Sequence, residues 1–275
     1  MIRLGKIGFA NCDFPYYAIE TGIIPTRGVE LIESHPVDLA RMIAGSNLDI
    51  TPISSIMYPQ IDDLLVLPGI CIASDDFTRS VLVCSNGITG LEELSGRTLC
   101  LPDLSASSSA LIQIILHLKG IEDVNIRTCA GQKIGEMLEV GDAALFIGDE
   151  ALIASHECNV LADLGREWRN LTGEKMVYAV WVVRREFAEE DHDHVEYIHS
   201  KLLESKEYGY RHIGEIAKVI SEKKGLDEEM MREYIHTLNY ELDEKSIESL
   251  NTYFKYAEEC GLIEKRKSIT FFEGR

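Results

Sequence analysis

Basic residues are scarce in this chain, and their scarcity excludes several classes of partner. The 275 residues include 27 lysines and arginines against 46 aspartates and glutamates, which gives a formal net charge of −19. Nucleic acids and anionic membranes attract clusters of basic residues, so we expect neither as a partner. No run approaches the roughly 18 consecutive apolar residues of a membrane-spanning helix. No signal-peptide pattern opens the sequence. These absences predict a soluble, cytoplasmic protein.

The motifs of metal, redox and nucleotide chemistry are also missing. The seven cysteines form no C-x-x-C pair and no Cys/His zinc spacing, which is typical of reduced, buried thiols. No G-x-S-x-G, H-E-x-x-H, G-x-G-x-x-G or P-loop lysine occurs. His192 and His194 lie in an acidic segment that could hold a metal, but a solvated surface is the favoured interpretation. We therefore expect neither a cofactor nor a metal.

Short strands and helices alternate through the first 180 residues. This pattern predicts an α/β fold with parallel-rich sheets covered by helices. Beyond Arg185 the chain is highly charged, with apolar residues spaced by three and four, which predicts three or four amphipathic helices. The apolar residues 269–272 could form a short docked strand.

We interpret two predicted strands, residues 80–84 and 176–183, as the segments through which the chain enters and leaves a second lobe. We expect residues 1–84 and 176–275 to form one discontinuous lobe and residues 85–175 to form the other. A ligand would then bind in the cleft, where strand ends and helix N-termini of both lobes meet.

The most informative segment is 97–116, where a strand, a hydroxyl-rich loop and an apolar helix follow one another. Four serines crowd the start of this helix: Ser105, Ser107, Ser108 and Ser109. Free backbone N–H groups at a helix N-terminus bind carboxylates and phosphates, and serine hydroxyls add donors. Without a P-loop lysine, this junction predicts a small carboxylate ligand rather than a nucleotide.

Further polar residues follow other predicted strands. Asn11 could hold a hydroxyl or a carboxylate without adding charge, or could serve only as a turn or cap. Ser54 and Ser55 could contact the ligand, although capping alone is the favoured interpretation for each. Arg79 could bind a carboxylate through two hydrogen bonds, or could form an ion pair with Asp75 or Asp76.

The segment 146–151 repeats the strand–loop–helix pattern. Gly148 would let a ligand approach the backbone closely. Asp149 could orient a substrate hydroxyl or transfer a proton, or could only cap the helix that follows.

Five strings together resemble the chorismate dehydratases of the futalosine route to menaquinone. They are residues 7–12 with Pro15 and Tyr16, 48–55, 75–81, 143–152, and 163–173 continuing into 178–185. The resemblance implies a fold like that of type 2 periplasmic binding proteins, with two α/β lobes, a cleft and C-terminal helices. It also places Tyr178, within the last string, among the expected substrate-binding residues.

The implied reaction is the dehydration of chorismate, a small dicarboxylate, to 3-[(1-carboxyvinyl)oxy]benzoate. Aromatisation drives it, so the enzyme must hold two carboxylates, stabilise developing charge and exclude water. We expect Asn11, Ser80 and Asp149 to be the catalytic residues, with a carboxylate of the substrate as an alternative base. Asp13 would oppose a dianionic ligand unless its carboxylate points away.

Two other functions remain open. A 1,4-dihydroxy-6-naphthoate synthase of the same pathway would share the fold, but should show a histidine-bearing site and a different motif after the first strand. A non-catalytic binding protein for a small carboxylate would need an export signal or a lipid-anchored cysteine, and neither pattern is visible.

Overall fold

The computed structural model describes residues 1–131 and 133–274, and two β-sheets organise them. The strands are β1 (Ile2–Ile7), β2 (Val29–Ser34), β3 (Ile50–Ser54), β4 (Leu64–Ser74), β5 (Val81–Ser85), β6 (Thr98–Pro102), β7 (Asn125–Cys129), β8 (Ala143–Ile147), β9 (Asn159–Asp163), β10 (Met176–Arg184) and β11 (Leu238–Asn239). The helices are α1 (Ala10–Glu20), α2 (Pro36–Ala44), α3 (Ala106–Leu118), α4 (Ile134–Val140), α5 (Gly148–Glu157), α6 (Leu164–Thr172), α7 (Arg185–Glu190), α8 (His192–Arg211), α9 (Ile213–Lys224), α10 (Glu228–Thr237) and α11 (Glu244–Glu259).

The first sheet has the strand order β11-β4-β10-β3-β1-β2, and the second has the order β7-β6-β8-β5-β9. Parallel pairs join β1 to β2 and β3, and join β6 to β7 and β8, as expected where helices connect the strands. Strand β10 returns from the second lobe and pairs antiparallel with both β3 and β4. The predicted α/β architecture of two lobes with C-terminal helices is confirmed.

The first crossing differs from the predicted one. Residues 80–84 were expected to belong to the first lobe, yet β5 pairs with β8 and β9 of the second sheet. All five β5 residues are buried, which is the environment of an inner strand rather than of a connector. The chain therefore crosses at residues 75–80, between β4 and β5, and returns at residues 173–175, between α6 and β10.

The C-terminal region forms five helices, α7 to α11, rather than the predicted three or four. Helix α8 packs on α1, while α11 contacts β10 and the start of the second lobe through α3. The predicted C-terminal strand is reduced to one parallel bridge, in which Phe271 pairs with Val66. Among the described residues, no helix is both long and apolar enough to cross a membrane.

Helix α1 begins at Ala10 and carries Pro15 inside it. Proline has no N–H, so the carbonyl four residues earlier loses its helical donor. That carbonyl belongs to Asn11, and it accepts a hydrogen bond from the Tyr240 hydroxyl at 2.8 Å instead. Asn11 consequently lies in the first turn of a helix rather than in a loop.

A buried ion cluster fixes α1 against β1. The Lys6 ammonium is fully buried and lies 2.5 Å from Asp13, 2.8 Å from Glu20 and 3.0 Å from Glu33. Asp13 also pairs with Lys223 and Lys224 of α9. Its carboxylate therefore points away from the cleft and presents no charge to a ligand there. Burial raises the pKa of Asp13, but hydrogen bonds from Lys223 and Lys6 outweigh it and leave the pKa below its usual value.

We expect Asp13→Asn to lower the free energy of unfolding at pH 7 by roughly 1.5–3 kcal/mol, the range for hydrogen bonds to charged groups. A lowered carboxyl pKa stabilises the fold above the unfolded pKa of about 3.9, and that contribution is lost as the pH falls through the folded value. The difference from the unmodified protein in urea unfolding should therefore shrink below about pH 4.

Asp38→Asn is the matched control, because Asp38 forms an exposed pair with Arg41 one helical turn away. It should change stability little. An equal loss in both variants, or a loss in Asp13→Asn that does not depend on pH, would contradict the assignment of Asp13 as a structural charge.

Candidate active site

A narrow cavity lies between the two lobes, where β1, β3 and β8 end and β5 begins. Its volume is about 50 Å³, below the range of open small-molecule sites, so the lobes enclose only a tight space between them. Eight of the residues predicted to be functional line it: Asn11, Ser54, Ser80, Ser105, Ser107, Ser108, Gly148 and Tyr178. Residues more than a hundred positions apart in sequence thus converge on one cavity.

The serine loop is a helix N-terminus that opens on this cavity. Ser105 is the N-cap of α3, and its hydroxyl accepts a hydrogen bond from the Ser108 N–H at 3.4 Å. The N–H groups of the first helical residues, Ala106 and Ser107, have no acceptor within the helix. This end of α3 combines the helix dipole with hydroxyl groups, which suits a carboxylate.

Ser107 also joins the two lobes. Its hydroxyl lies 3.1 Å from the Ser55 hydroxyl and accepts a hydrogen bond from the Ile56 N–H at 3.2 Å. Ser55 in turn donates to the carbonyl of Val177 at 2.8 Å. Ser55 is therefore buried behind the cavity and is not among its lining residues, while Ser107 both lines the cavity and holds the lobes together.

A chain of three hydroxyl groups, those of Tyr178, Thr78 and Ser74, forms another part of the site. No sequence motif indicated this chain. The Tyr178 hydroxyl lies 2.5 Å from the Thr78 hydroxyl, which lies 2.7 Å from that of Ser74. Burial raises the pKa of Tyr178 well above its usual value, so the phenol stays protonated and neutral near pH 7. Thr78 lines the cavity but was not predicted, because only Arg79 and Ser80 of its segment carried a recognised chemistry.

The first crossing is held by the carboxylate of Asp163, at the end of β9. It accepts hydrogen bonds from the backbone N–H groups of Thr78, Arg79, Gly165 and Arg166 at 2.7–3.3 Å. Burial raises the pKa of this carboxyl, and the backbone hydrogen bonds oppose the rise. Arg79 has a positive φ of 63°, a conformation uncommon for residues other than glycine, and these bonds hold it there.

The Arg79 side chain lies elsewhere than predicted. Its guanidinium pairs with Glu233 of α10 at 2.5 Å, and Arg79 is not among the residues that line the cavity. The two alternative partners of Arg79 pair with other residues: Asp76 with Arg166, and Asp75 with Lys175. We therefore leave Arg79 out of the candidate active site.

Gly148 brings the two lobes close together beside Ser80. Its N–H donates to the Ser80 carbonyl at 2.8 Å. A Cβ at this position would lie 3.0 Å from the Phe9 ring, and φ is +58°. A side chain here would be both strained and crowded, so glycine fits this position for steric reasons.

Asp149 caps a helix, but not the helix that was predicted. No side chain caps its own helix α5; instead Asp149 accepts from the N–H of Ala10 at 2.9 Å, at the start of α1. Its other oxygen lies 3.1 Å from the Lys224 ammonium. Asp149 thus connects the lobes; its neighbour Gly148 lines the cavity, whereas Asp149 itself does not.

Ser109 also lies away from the cavity. It is partly buried on α3, its hydroxyl has no hydrogen-bond partner within the described residues, and the cavity lining does not include it. The helical repeat explains this, because Ser109 lies about a hundred degrees further round the helix than Ser108.

The cavity is lined by uncharged residues among those described, so hydroxyl, amide and backbone groups must hold any anion. A possible metal cluster lies outside it, where Asp13, Glu20 and Glu33 converge. The Lys6 ammonium already occupies the centre of that cluster, with a hydrogen bond to each carboxylate. These three residues therefore form an ion-pair network rather than a vacant metal site.

Comparison with known proteins agrees with the predicted resemblance. The chain is 25% identical over 254 residues to the chorismate dehydratase of Thermus thermophilus, covering 86% of this chain and 88% of that protein. Its fold is similar to that of a protein from Archaeoglobus fulgidus, with a TM-score of 0.79, 20% identity, and coverage of 95% of this chain and 98% of the other.

The periplasmic aliphatic sulphonate binding protein of Escherichia coli is also similar in fold, with a TM-score of 0.72 at 14% identity over 100% of this chain and 94% of its own. The predicted periplasmic-binding-protein-like fold is thereby confirmed. A family model described as menaquinone biosynthesis matches residues 2–259. The match spans both lobes and all five C-terminal helices, and the chain belongs to this menaquinone biosynthesis family.

Proposed function

We propose that this protein is a carbon–oxygen lyase that dehydrates chorismate to 3-[(1-carboxyvinyl)oxy]benzoate. The observation that carries the proposal is an uncharged cavity rich in hydroxyl and amide groups, which opens on a helix N-terminus in a chain of the menaquinone biosynthesis family. The similarity to a chorismate dehydratase supports the same substrate.

The reaction needs little covalent chemistry from the protein. A proton leaves the ring carbon that bears the ether, the hydroxyl leaves the neighbouring carbon, and water and an aromatic ring are formed. Negative charge moves toward the ring carboxylate as the proton departs. Fixed donors around that carboxylate would stabilise the charge in the transition state more than in the substrate.

The cavity residues suit these tasks. The first turn of α3, with Ser108, would bind one carboxylate. Asn11, from the first lobe, and Ser80, at the crossing between the lobes, would hold the oxygens at which charge changes. Because the carboxylate of Asp149 is engaged by Ala10 and Lys224, a carboxylate of the substrate itself is our proposed proton acceptor. Hydrogen bonds between the lobes would keep bulk water out while the charged intermediate exists.

Purified protein should convert chorismate to an aromatic product in the presence of a metal chelator, because the proposed chemistry uses only groups of this chain and a carboxylate of the substrate. Ultraviolet absorbance and mass spectrometry measure the loss of one water. Binding without conversion would instead support a carboxylate-binding protein, and complete inertness toward chorismate would favour the dihydroxynaphthoate synthase. Strict dependence on an added metal or nucleotide would contradict the proposed mechanism.

Asn11→Ala and Ser80→Ala should each lower kcat/KM at least about tenfold, because a hydrogen bond to a charged group contributes about 1.5–3 kcal/mol. Their melting temperatures should stay close to that of the unmodified protein. Ser221→Ala is the matched control, since Ser221 is equally buried but donates to Lys218 within α9. A large fall in melting temperature with near-normal turnover would show that Asn11 and Ser80 are structural.

Comparing Asp149→Asn with Asp149→Ala distinguishes two roles for Asp149, a contact that joins the lobes and a group that transfers a proton. Asparagine keeps an acceptor for the Ala10 N–H, so we expect it to retain most of kcat. Alanine removes both bonds between the lobes, and we expect KM to rise about tenfold, with a larger radius of gyration in X-ray scattering of the free protein. A loss of kcat of roughly 10²-fold or more in Asp149→Asn would instead identify Asp149 as an acid or base.

A further inference from the structure

Ser55 begins the short helical turn Ser55–Gln60 that follows β3, and it is fully buried. It does not line the cavity, yet its hydroxyl contacts two other segments. The hydroxyl donates to the carbonyl of Val177 in β10 at 2.8 Å and lies 3.1 Å from the hydroxyl of Ser107 in α3. One side chain of the first lobe therefore meets both the strand that returns from the second lobe and the helix N-terminus that opens on the cavity.

The direction of the hydrogen bond between Ser55 and Ser107 follows from the number of protons. A serine hydroxyl has one proton to donate and two lone pairs that accept. Ser55 donates its proton to the Val177 carbonyl, because a carbonyl oxygen can only accept. In the contact between the two hydroxyls, Ser107 is therefore the donor and Ser55 is the acceptor.

The hydroxyl of Ser107 is thereby engaged on two sides. It donates to Ser55, and its oxygen accepts from the Ile56 N–H at 3.2 Å. The lone pair that remains can accept a hydrogen bond but cannot donate one, so this hydroxyl offers no donor to an anion in the cavity. A carboxylate there must be bound by other donors of the same helix end, such as the N–H groups of Ala106 and Ser107 and the hydroxyl of Ser108.

The main chain of Ser107 is also held from the first lobe. Its carbonyl accepts a hydrogen bond at 2.8 Å from the hydroxyl of Tyr253, a fully buried residue of α11. Burial raises the pKa of Tyr253 far above its usual value, so the phenol keeps its proton and remains a donor. The start of α3, a helix of the second lobe, is therefore positioned by three hydrogen bonds from the first lobe: those of Ser55, Ile56 and Tyr253.

We propose that Ser55 is a positioning residue, whose hydroxyl accepts the Ser107 proton and so fixes the N-terminus of α3 at the cavity, where main-chain N–H groups and Ser108 bind a carboxylate. Ser55 acts through Ser107, because Ser55 itself does not line the cavity. That the ligand is a carboxylate rests on the proposed function; the direction of the hydrogen bond does not.

The kinetic test compares Ser55→Ala, Ser107→Ala and the double variant. We expect each single variant to raise KM for chorismate about tenfold and to leave kcat within about threefold, because the carboxylate is bound in the substrate and the transition state alike. The double variant should be no worse than either single variant, since both interrupt the same chain of hydrogen bonds. A substitution that only destabilised the fold would reduce the amount of active enzyme, and hence kcat, without changing KM.

Two kinetic results would overturn the proposal. A normal KM in Ser55→Ala with a raised KM in Ser107→Ala would show that the Ser107 hydroxyl contacts the ligand directly. Effects that multiply in the double variant would show that the two serines act independently. Ser221→Ala is again the matched control, because Ser221 is buried within α9 away from this chain of hydrogen bonds, and it should leave KM unchanged.

A second measurement uses no substrate, so that failure of the proposed function can be told apart. Hydrogen exchange of the Ile56 amide reports on its bond to Ser107. Exchange should accelerate about tenfold or more in Ser55→Ala and in Ser107→Ala, and should stay unchanged in Ser221→Ala. If the unmodified protein does not convert chorismate but the exchange rates change as expected, only the proposed function fails. An unchanged rate in Ser55→Ala would overturn the role of Ser55 whatever the ligand is.

Discussion

The carboxylate of Asp163 gathers four backbone N–H groups, and the candidate active site depends on it. Two of these donors belong to α6, which follows it, and two belong to the crossing between the lobes. One side chain therefore fixes the end of the second sheet, the start of a helix and the strained conformation of Arg79. Ser80 and Thr78 take their positions in the cavity from this arrangement.

Patterns within one segment were enough to predict much of this protein. The alternation of strands and helices predicted the α/β architecture, and the serine-rich helix start predicted three of the cavity residues, Ser105, Ser107 and Ser108. Asn11 and Gly148 were found for a similar reason, since each lies within four residues of the end of a strand at the cleft. In all these cases the residues that determine the local structure lie within a few positions of the residue that was predicted.

What could not be predicted depends on contacts across the chain. Asp149 was expected to act in catalysis or to cap α5, yet its partners are Ala10 and Lys224, more than seventy positions away in either direction. The strand β5 was assigned to the wrong lobe, because a buried apolar run does not indicate which sheet it joins.

The contact between Gly148 and Phe9 also has a consequence for how such a cavity can diversify. Enlarging residue 148 would require a smaller ring at position 9, and even then the positive φ would disfavour any residue with a Cβ. A substitution at Gly148 would therefore need a second substitution at Phe9, on the other lobe. The substitution at Gly148 alone would strain the backbone and crowd the Phe9 ring. Changes in ligand preference among descendants of this sequence should therefore leave the glycine side of the cavity unchanged and arise from its other lining residues.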